Sequence, residues 1–379
     1  MSNIKPILFI LFSLILFSCT EKFYPEIDEN VDILVVDGKI TDDGTPCEVS
    51  LFKTVSFTDD YSIKPEKDAI VILHDDLGHS EILTEYEAGV YRSSSNEITG
   101  TVGVNYWIEI QTLSGEKYES TPEVIHSPFE ITSIYGDELE AIISDNSKED
   151  GVGIYFDANN NENTESYLRW EYRESYEWHT PFDLETKVTD NPQKICYPVT
   201  DYPLINVYNA SDFDKKEIKH LLTATILEHE VKLKHQYLID INLYSVSQEN
   251  YIFWKNMKAI HQTNGNLYDI LPANIKGNIS CCDNTNKVLG FFEASSVRRK
   301  RAFFSKNNFT VDFTDFPEEC ETFIIVGVTP DPMKYQIVKV IPRENTTAYE
   351  VRKRHCYECN QKYPTKKPSF WPISNKSKV

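Results

Sequence analysis

Methionine and glycine are in short supply, 3 and 14 of 379 residues, and so is positive charge: 38 Lys and Arg stand against 59 Asp and Glu. The formal net charge of -21 and a pI near 4.9 argue against nucleic acid, or an anionic membrane surface, as a partner for the whole molecule. Long apolar runs are missing apart from residues 7–17, a stretch too short to span a bilayer as a stable helix. The chain also lacks a Gly-x-Ser-x-Gly elbow, a P-loop, and a strand followed by a Gly-x-Gly-x-x-Gly turn, which removes the enzyme classes those motifs define. No internal repeat occurs. What is plentiful is aromatic, with 22 Tyr and 20 Phe. Tyrosine and β-branched residues suit strands whose faces are half wet, so a mostly β fold is expected.

The one apolar run carries an address. Lys5 precedes it and small Ser18 follows it, the pattern of an export signal over residues 1–18. Its ending, Leu16-Phe17-Ser18-Cys19, resembles a bacterial lipobox, which implies lipidation of the Cys19 sulfur and a polar, lipidated tether over residues 19–30. The alternative is an ordinary cleaved secretion signal. Each methylene of an acyl chain buried in a bilayer contributes ~0.8 kcal/mol, so several chains hold a soluble body at its membrane.

Lipidation of Cys19 leaves Cys47, Cys196, Cys281, Cys282, Cys320, Cys356 and Cys359, an odd set. Disulfides are the default in an exported chain, with Cys356, Cys359, Cys281 and Cys282 as candidates and their connectivity open. Cys356-Tyr357-Glu358-Cys359 also has metal-knuckle spacing after His355, but disulfides are favoured over zinc outside the cytoplasm.

Short strand-like runs recur at residues 33–38, 47–55, 69–74, 80–84, 89–93, 105–112 and 117–120, separated by turn clusters such as Asp75-Asp76-Leu77-Gly78. That spacing predicts an N-terminal immunoglobulin-like β-sandwich over residues 31–126. A larger β-rich domain with one or two helices is expected over 127–342, followed by a Cys-containing basic tail over 343–379. In the larger domain, residues 167–173, 237–244, 289–295 and 302–304 read as strands, with a buried-looking one at 323–328. The helices are expected at 247–260, capped by Ser247, and over 211–222, capped by Ser211 or Asp212.

Candidate sites are few, and each has a plainer reading. Tyr251 and Trp254 at helical spacing, and Phe370-Trp371 in the tail, are the candidate ligand or partner contacts, although aromatic stripes of this kind are more often core. Arg298-Arg299-Lys300-Arg301 reads as a solvated strand or turn before an anion grip. Asp157-Ala158-Asn159-Asn160-Asn161-Glu162 lacks the glycine and distal glutamate of a calcium loop. His229-Glu230 and His235 are the nearest approach to a metalloprotease helix, but six residues separate the histidines and the segment alternates like a strand. Asp42-Asp43, Asp59-Asp60 and Asp75-Asp76 fall in predicted turns, where Asp bonds the local backbone. No catalytic residue, metal ligand or cofactor is assigned.

Several stretches taken together resemble one family. They are Ile33-Leu34-Val35-Val36-Asp37-Gly38, Gly115-Glu116-Lys117-Tyr118, Asn250-Tyr251-Ile252-Phe253-Trp254-Lys255, Leu271-Pro272-Ala273-Asn274, Val288-Leu289-Gly290-Phe291-Phe292 and Lys367-Pro368-Ser369-Phe370-Trp371. In this order they are similar to the domain of unknown function family numbered 4249, lipoproteins of Bacteroidota. The resemblance implies no established catalytic residues and a role beside TonB-dependent outer-membrane receptors in uptake. A non-catalytic accessory or binding module, lipid-anchored at the outer membrane with either face open, is therefore the leading expectation. A surface structural or adhesive protein is the second, and an enzyme using His229, Glu230 and His235 the third.

Overall fold

A computed structural model describes residues 33–371 apart from 55–63, 95–97, 145–146, 161–166, 183–193, 212–216, 262–274, 283–286, 315–316, 345 and 361–362. Cys19, Asp59-Asp60, Asp212 and the 271–274 motif lie outside the described residues. The rest is mostly β, as the composition predicts, with one α-helix, Gln248–His261, among the described residues.

One strand organises the sheets. Val288–Ser305 runs as a single strand of 18 residues where the sequence suggests two with a basic turn between. Its first half pairs in parallel with Leu34–Thr41, Leu34 opposite Val288 and Thr41 opposite Ser295. Its second half pairs antiparallel with Gln236–Val246, Gln236 opposite Ser305. The burial pattern follows this change of neighbours: residues 291–297 are buried throughout, whereas 298–303 alternate between half-buried and exposed. A nine-stranded sheet results, in the order Val199–Asn209, Tyr167–Tyr176, Gln236–Val246, Val288–Ser305, Leu34–Thr41, Glu48–Lys53, Val90–Arg92 and Thr84–Glu87, with Lys64–Pro65 beside Glu48–Lys53.

The N-terminal end of this sheet faces a second one built from Ile279–Cys281, Lys117–Ser120, Asn105–Gln111, Ile70–Asp75 and Ser80–Ile82, with Glu123–Val124 on Asn105–Gln111. Leu34, Val36, Tyr91, Tyr106, Ile108 and Phe292 fill the space between, each 1% exposed or less. At about 1.5–3 kcal/mol per buried large side chain, this sandwich rests on apolar burial. Residues 279–281 and 288–295 are integral to it, although they lie far along the chain. Their seating is tight: Gly290 has φ +110, and a Cβ there would come within 1.8 Å of the Val36 carbonyl oxygen. Asn278 acts as a surrogate strand partner, its side-chain amide donating to Phe292 O at 2.9 Å and accepting from Phe292 N at 2.8 Å.

The other half of the nine-stranded sheet packs on a three-stranded sheet, Glu130–Ser144, Ser147–Asn159 and Glu217–Leu227, around Phe156, Leu168, Ile239, Leu243 and Phe313. Glu217–Leu227 corrects the helix expected over 211–222. Ile218, Leu221 and Leu222 have helix-like spacing because a bulge at His220, with φ 61, breaks the alternation of a strand. Residues 230–235 are turn rather than the expected alternating strand. Phe323–Val326 is a strand, but Ile324 and Val326 are 52% and 48% exposed, so it is not the buried one expected. It pairs with Thr346–Lys353, itself central to a small sheet completed by Tyr335–Arg343. Basic composition after residue 343 therefore conceals a strand.

Candidate functional site

The two halves of the molecule meet on the polar face of the nine-stranded sheet. In Tyr167–Tyr176 the pleat turns Leu168, Trp170 and Tyr172 into the core and Arg169, Glu171 and Arg173 to the opposite face. Arg169 is 5% exposed and forks onto Glu293 of the long strand, Nε to Oε2 at 3.1 Å and Nη2 to Oε1 at 3.0 Å, while Nη1 donates to Glu171. Glu293 also accepts from Asn250 Nδ2 at 3.0 Å and Ser295 Oγ at 2.8 Å. Tyr244 and Trp254 flank the guanidinium, their ring centroids 4.4 and 5.1 Å from its carbon.

These groups hold one another charged. Burial opposes ionisation of Glu293, but Arg169 and Lys39 outweigh it and keep the carboxyl down at about 2. Burial likewise opposes the charge on Arg169, and Glu293 and Glu171 more than offset it, leaving the guanidinium above its ordinary pKa. Glu171 is lowered by Arg169 and Lys39 against its own desolvation. Such a pair recovers the several kcal/mol of desolvation only because every partner is in place.

The helix Gln248–His261 forms one wall. Ser247 caps it as expected, accepting from Asn250 N at 3.1 Å, and its hydroxyl donates to Glu123 at 2.6 Å, so the helix start is tied to the last strand of the first sandwich. Burial lifts the Glu123 carboxyl to about 7, Glu249 and Glu293 adding to the effect against the Ser247 hydrogen bond. Beyond Arg169 the polar face opens into a cleft of about 610 Å3, which includes Arg173, Asp201, Asp240, Asn242, Trp254 and Arg299 in its lining. Asp240 receives Arg173 at 2.9 Å and Arg301 at 3.0 Å. Phe370 lies over Arg173, ring centroid 4.1 Å from the guanidinium carbon, and covers this end.

The aromatic candidates divide. Trp254 lines the cleft and Phe370 borders it, whereas Tyr251 packs on Tyr167 at 5.2 Å. Trp371 is 5% exposed and wedged against Tyr197 and Leu238, a core residue that pins the tail. The basic run is a strand with each residue engaged: Arg298 with Asp42 and Glu130, Arg299 with Asn242, Lys300 with the carbonyls of Ile131 and Thr132, Arg301 with Asp240. Asp75 and Asp43 bond their own turns, Asp75 accepting from Leu77 N and His79 N and Asp43 from Thr45 N. Asp157 sits in a strand, where Ser133, Tyr135 and His220 N donate to it.

His229, Glu230 and His235 do not converge. His229 bonds Glu149, Glu230 accepts from Leu227 N, and His235 stacks on His179 at 3.8 Å. Cys356 and Cys359 are both cross-linked, to Cys320 and Cys196 respectively. Cys281 and Cys282 are not, which corrects their place among the disulfide candidates: Cys281 is buried in the sandwich core, a different apolar cluster from that of the bridged cysteines, and Cys282 is exposed at the strand end. Among the described residues Cys320, His355 and Cys356 are the one trio close enough to hold a metal, but the two sulfurs are bonded to each other and neither is a thiolate.

Arg169, Arg173, Asp240 and Glu293 escaped the sequence reading. The alternation Arg169-x-Glu171-x-Arg173 within an aromatic strand was the available signal, since charges on every second residue mark one built polar face. Fold and site together define a mostly β protein with a self-paired polar cleft beside a single helix. The chain belongs to the family described as Domain of unknown function (DUF4249), which it matches over residues 20–301. No curated protein matches it. No helix of the described residues is long and apolar enough to cross a membrane.

Proposed function

We propose that this chain is an outer-membrane lipoprotein, anchored through Cys19, that performs no chemistry of its own and serves as an accessory or binding module for a TonB-dependent receptor barrel in uptake. The lipobox-like Leu16-Phe17-Ser18-Cys19 supports the anchor, and family membership is compatible with it. The observation that carries the reading is the fixed charge of the Arg169–Glu293 pair; Glu123, raised to about 7, is bonded to Ser247 and lies outside the cleft lining. General acid–base catalysis works best with a pKa near the operating pH, and Glu293 is held at about 2 with Arg169 clamped upon it. Groups locked in one protonation state present constant donors and acceptors, which is what recognition by contact requires. Purification of the tagged chain from its native membrane in mild detergent tests the proposal. A co-purifying β-barrel receptor is expected; recovery of the chain without any barrel would contradict it.

A further inference from the structure

We propose that the cleft takes an uncharged, polyhydroxylated ligand, a saccharide. This rests on the reading of the chain as a binding module and names what the module holds. The cleft volume of about 610 Å3 is within the range of small-ligand sites, about 300–1,000 Å3. Its charge is balanced: Arg169, Arg173 and Arg299 face Glu171, Asp201 and Asp240. A guest with net charge would leave one of these uncompensated in a partly desolvated groove, whereas a neutral guest leaves the balance intact.

The unused hydrogen-bonding capacity defines the rest of the ligand. Asp201, opposite Arg173 in the strand ladder, is exposed at the cleft, and its carboxylate has no hydrogen-bond or ion-pair partner among the described residues. Arg299 binds Asn242 through Nε at 2.7 Å, leaving its terminal nitrogens for a guest. Behind them Asp240 Oδ1, Arg173 Nε and Trp254 Nε1 are buried without any hydrogen-bond partner. On the open side of the cleft the Asp201 carboxylate, an acceptor, and the terminal nitrogens of Arg299, donors, line the same space, while the three buried atoms present no surface to a guest. A hydroxyl both donates and accepts, so neighbouring hydroxyls on one ring can bridge a carboxylate and a guanidinium at once, which a purely cationic or anionic group cannot do. Leu204, 46% exposed, and Trp254 add the apolar surface that the C–H face of a sugar ring needs.

The test is calorimetry on the full-length acylated chain in a non-glycosidic detergent. The probes are maltohexaose, xylohexaose and a manno-oligosaccharide, with an oligogalacturonate of similar length as the charged control. At least one neutral probe binds, and Asp201→Asn and Arg299→Gln each weaken it about tenfold or more, the loss expected for a hydrogen bond to a charged group. Asp201→Asn also leaves the wall with one surplus positive charge, so it shifts preference towards the oligogalacturonate. Binding of the charged probe alone, binding that ignores both variants, or no neutral probe binding would overturn the ligand class. Co-purification of a barrel in the same preparation separates the two proposals: its retention without saccharide binding sinks this inference alone, and its loss sinks the module reading beneath it.

Discussion

Glu293 at the seam and Glu319 in the C-terminal cap are both held at about 2, by different means. Glu293 is 4% exposed between two large apolar cores, and its charge survives because Arg169 is fixed against it. Glu319 is partly open to solvent and is held down first by the neighbouring His355, whose Nε2 lies 3.4 Å away, and accepts hydrogen bonds from Tyr363 at 3.1 Å and Lys353 at 3.4 Å. The apolar cluster behind it is small, essentially Trp178, Val231, Tyr357 and Tyr363 around the Cys196–Cys359 and Cys320–Cys356 bridges. Where the core is large, geometry is held by packing and an ion pair can be built into it. Where the core is small, covalent links take over, as in other regions too thin to bury much apolar surface.

The strongest way to break this contrast is Arg169→Ala. It strands Glu293 in the interior and should cost about 3–5 kcal/mol in denaturant unfolding, whereas the paired replacement Arg169→Met with Glu293→Leu should recover most of that. Next is removal of one bridge, Cys196→Ser with Cys359→Ser or Cys320→Ser with Cys356→Ser, which should cost about 2–4 kcal/mol and open the segment after Glu318 to protease while the sandwich stays resistant. Thiol labelling sharpens the same point. Cys282 should react in the native state, and Cys47, whose thiol burial pushes up, only on unfolding.

Acid acts on both regions. Both carboxyls have folded pKa values below their ordinary 4.5, so each contributes stability above that value and loses it as pH falls from about 4.5 towards 2. Glu123 works the other way: its folded pKa is raised to about 7, so stability declines as pH rises from 4.5 through 7, and Glu123→Gln should flatten that limb of a melting-temperature profile. The smallest effect is expected from Ser247→Ala, about 1 kcal/mol for the lost helix cap.

The sheet structure was legible wherever one face of a strand is wet. Residues 105–111 and 117–120 alternate cleanly and were found with their turns, and the 3.6-residue period with Ser247 gave the helix. Local pattern misled where a bulge interrupted it, as at His220, and where a run of like charge read as a break between two strands, as at residues 298–301 inside the single strand Val288–Ser305. The site was mostly invisible for a different reason. Arg169 and Glu293 are 124 residues apart, and Cys196 and Cys359 are 163 apart, so nothing near either partner identifies the other. What the sequence does carry is the type of residue needed: a strand with charges on alternate positions must meet counter-charges somewhere.

Quantitative mass spectrometry of what the tagged chain retains from its native membrane, compared with a Cys19→Ser form, addresses the account most directly. The prediction is a receptor barrel in near-equimolar yield with the acylated chain and its loss from the Cys19→Ser form. Equal recovery of no barrel from both, with Cys19 unmodified in the first, would contradict it.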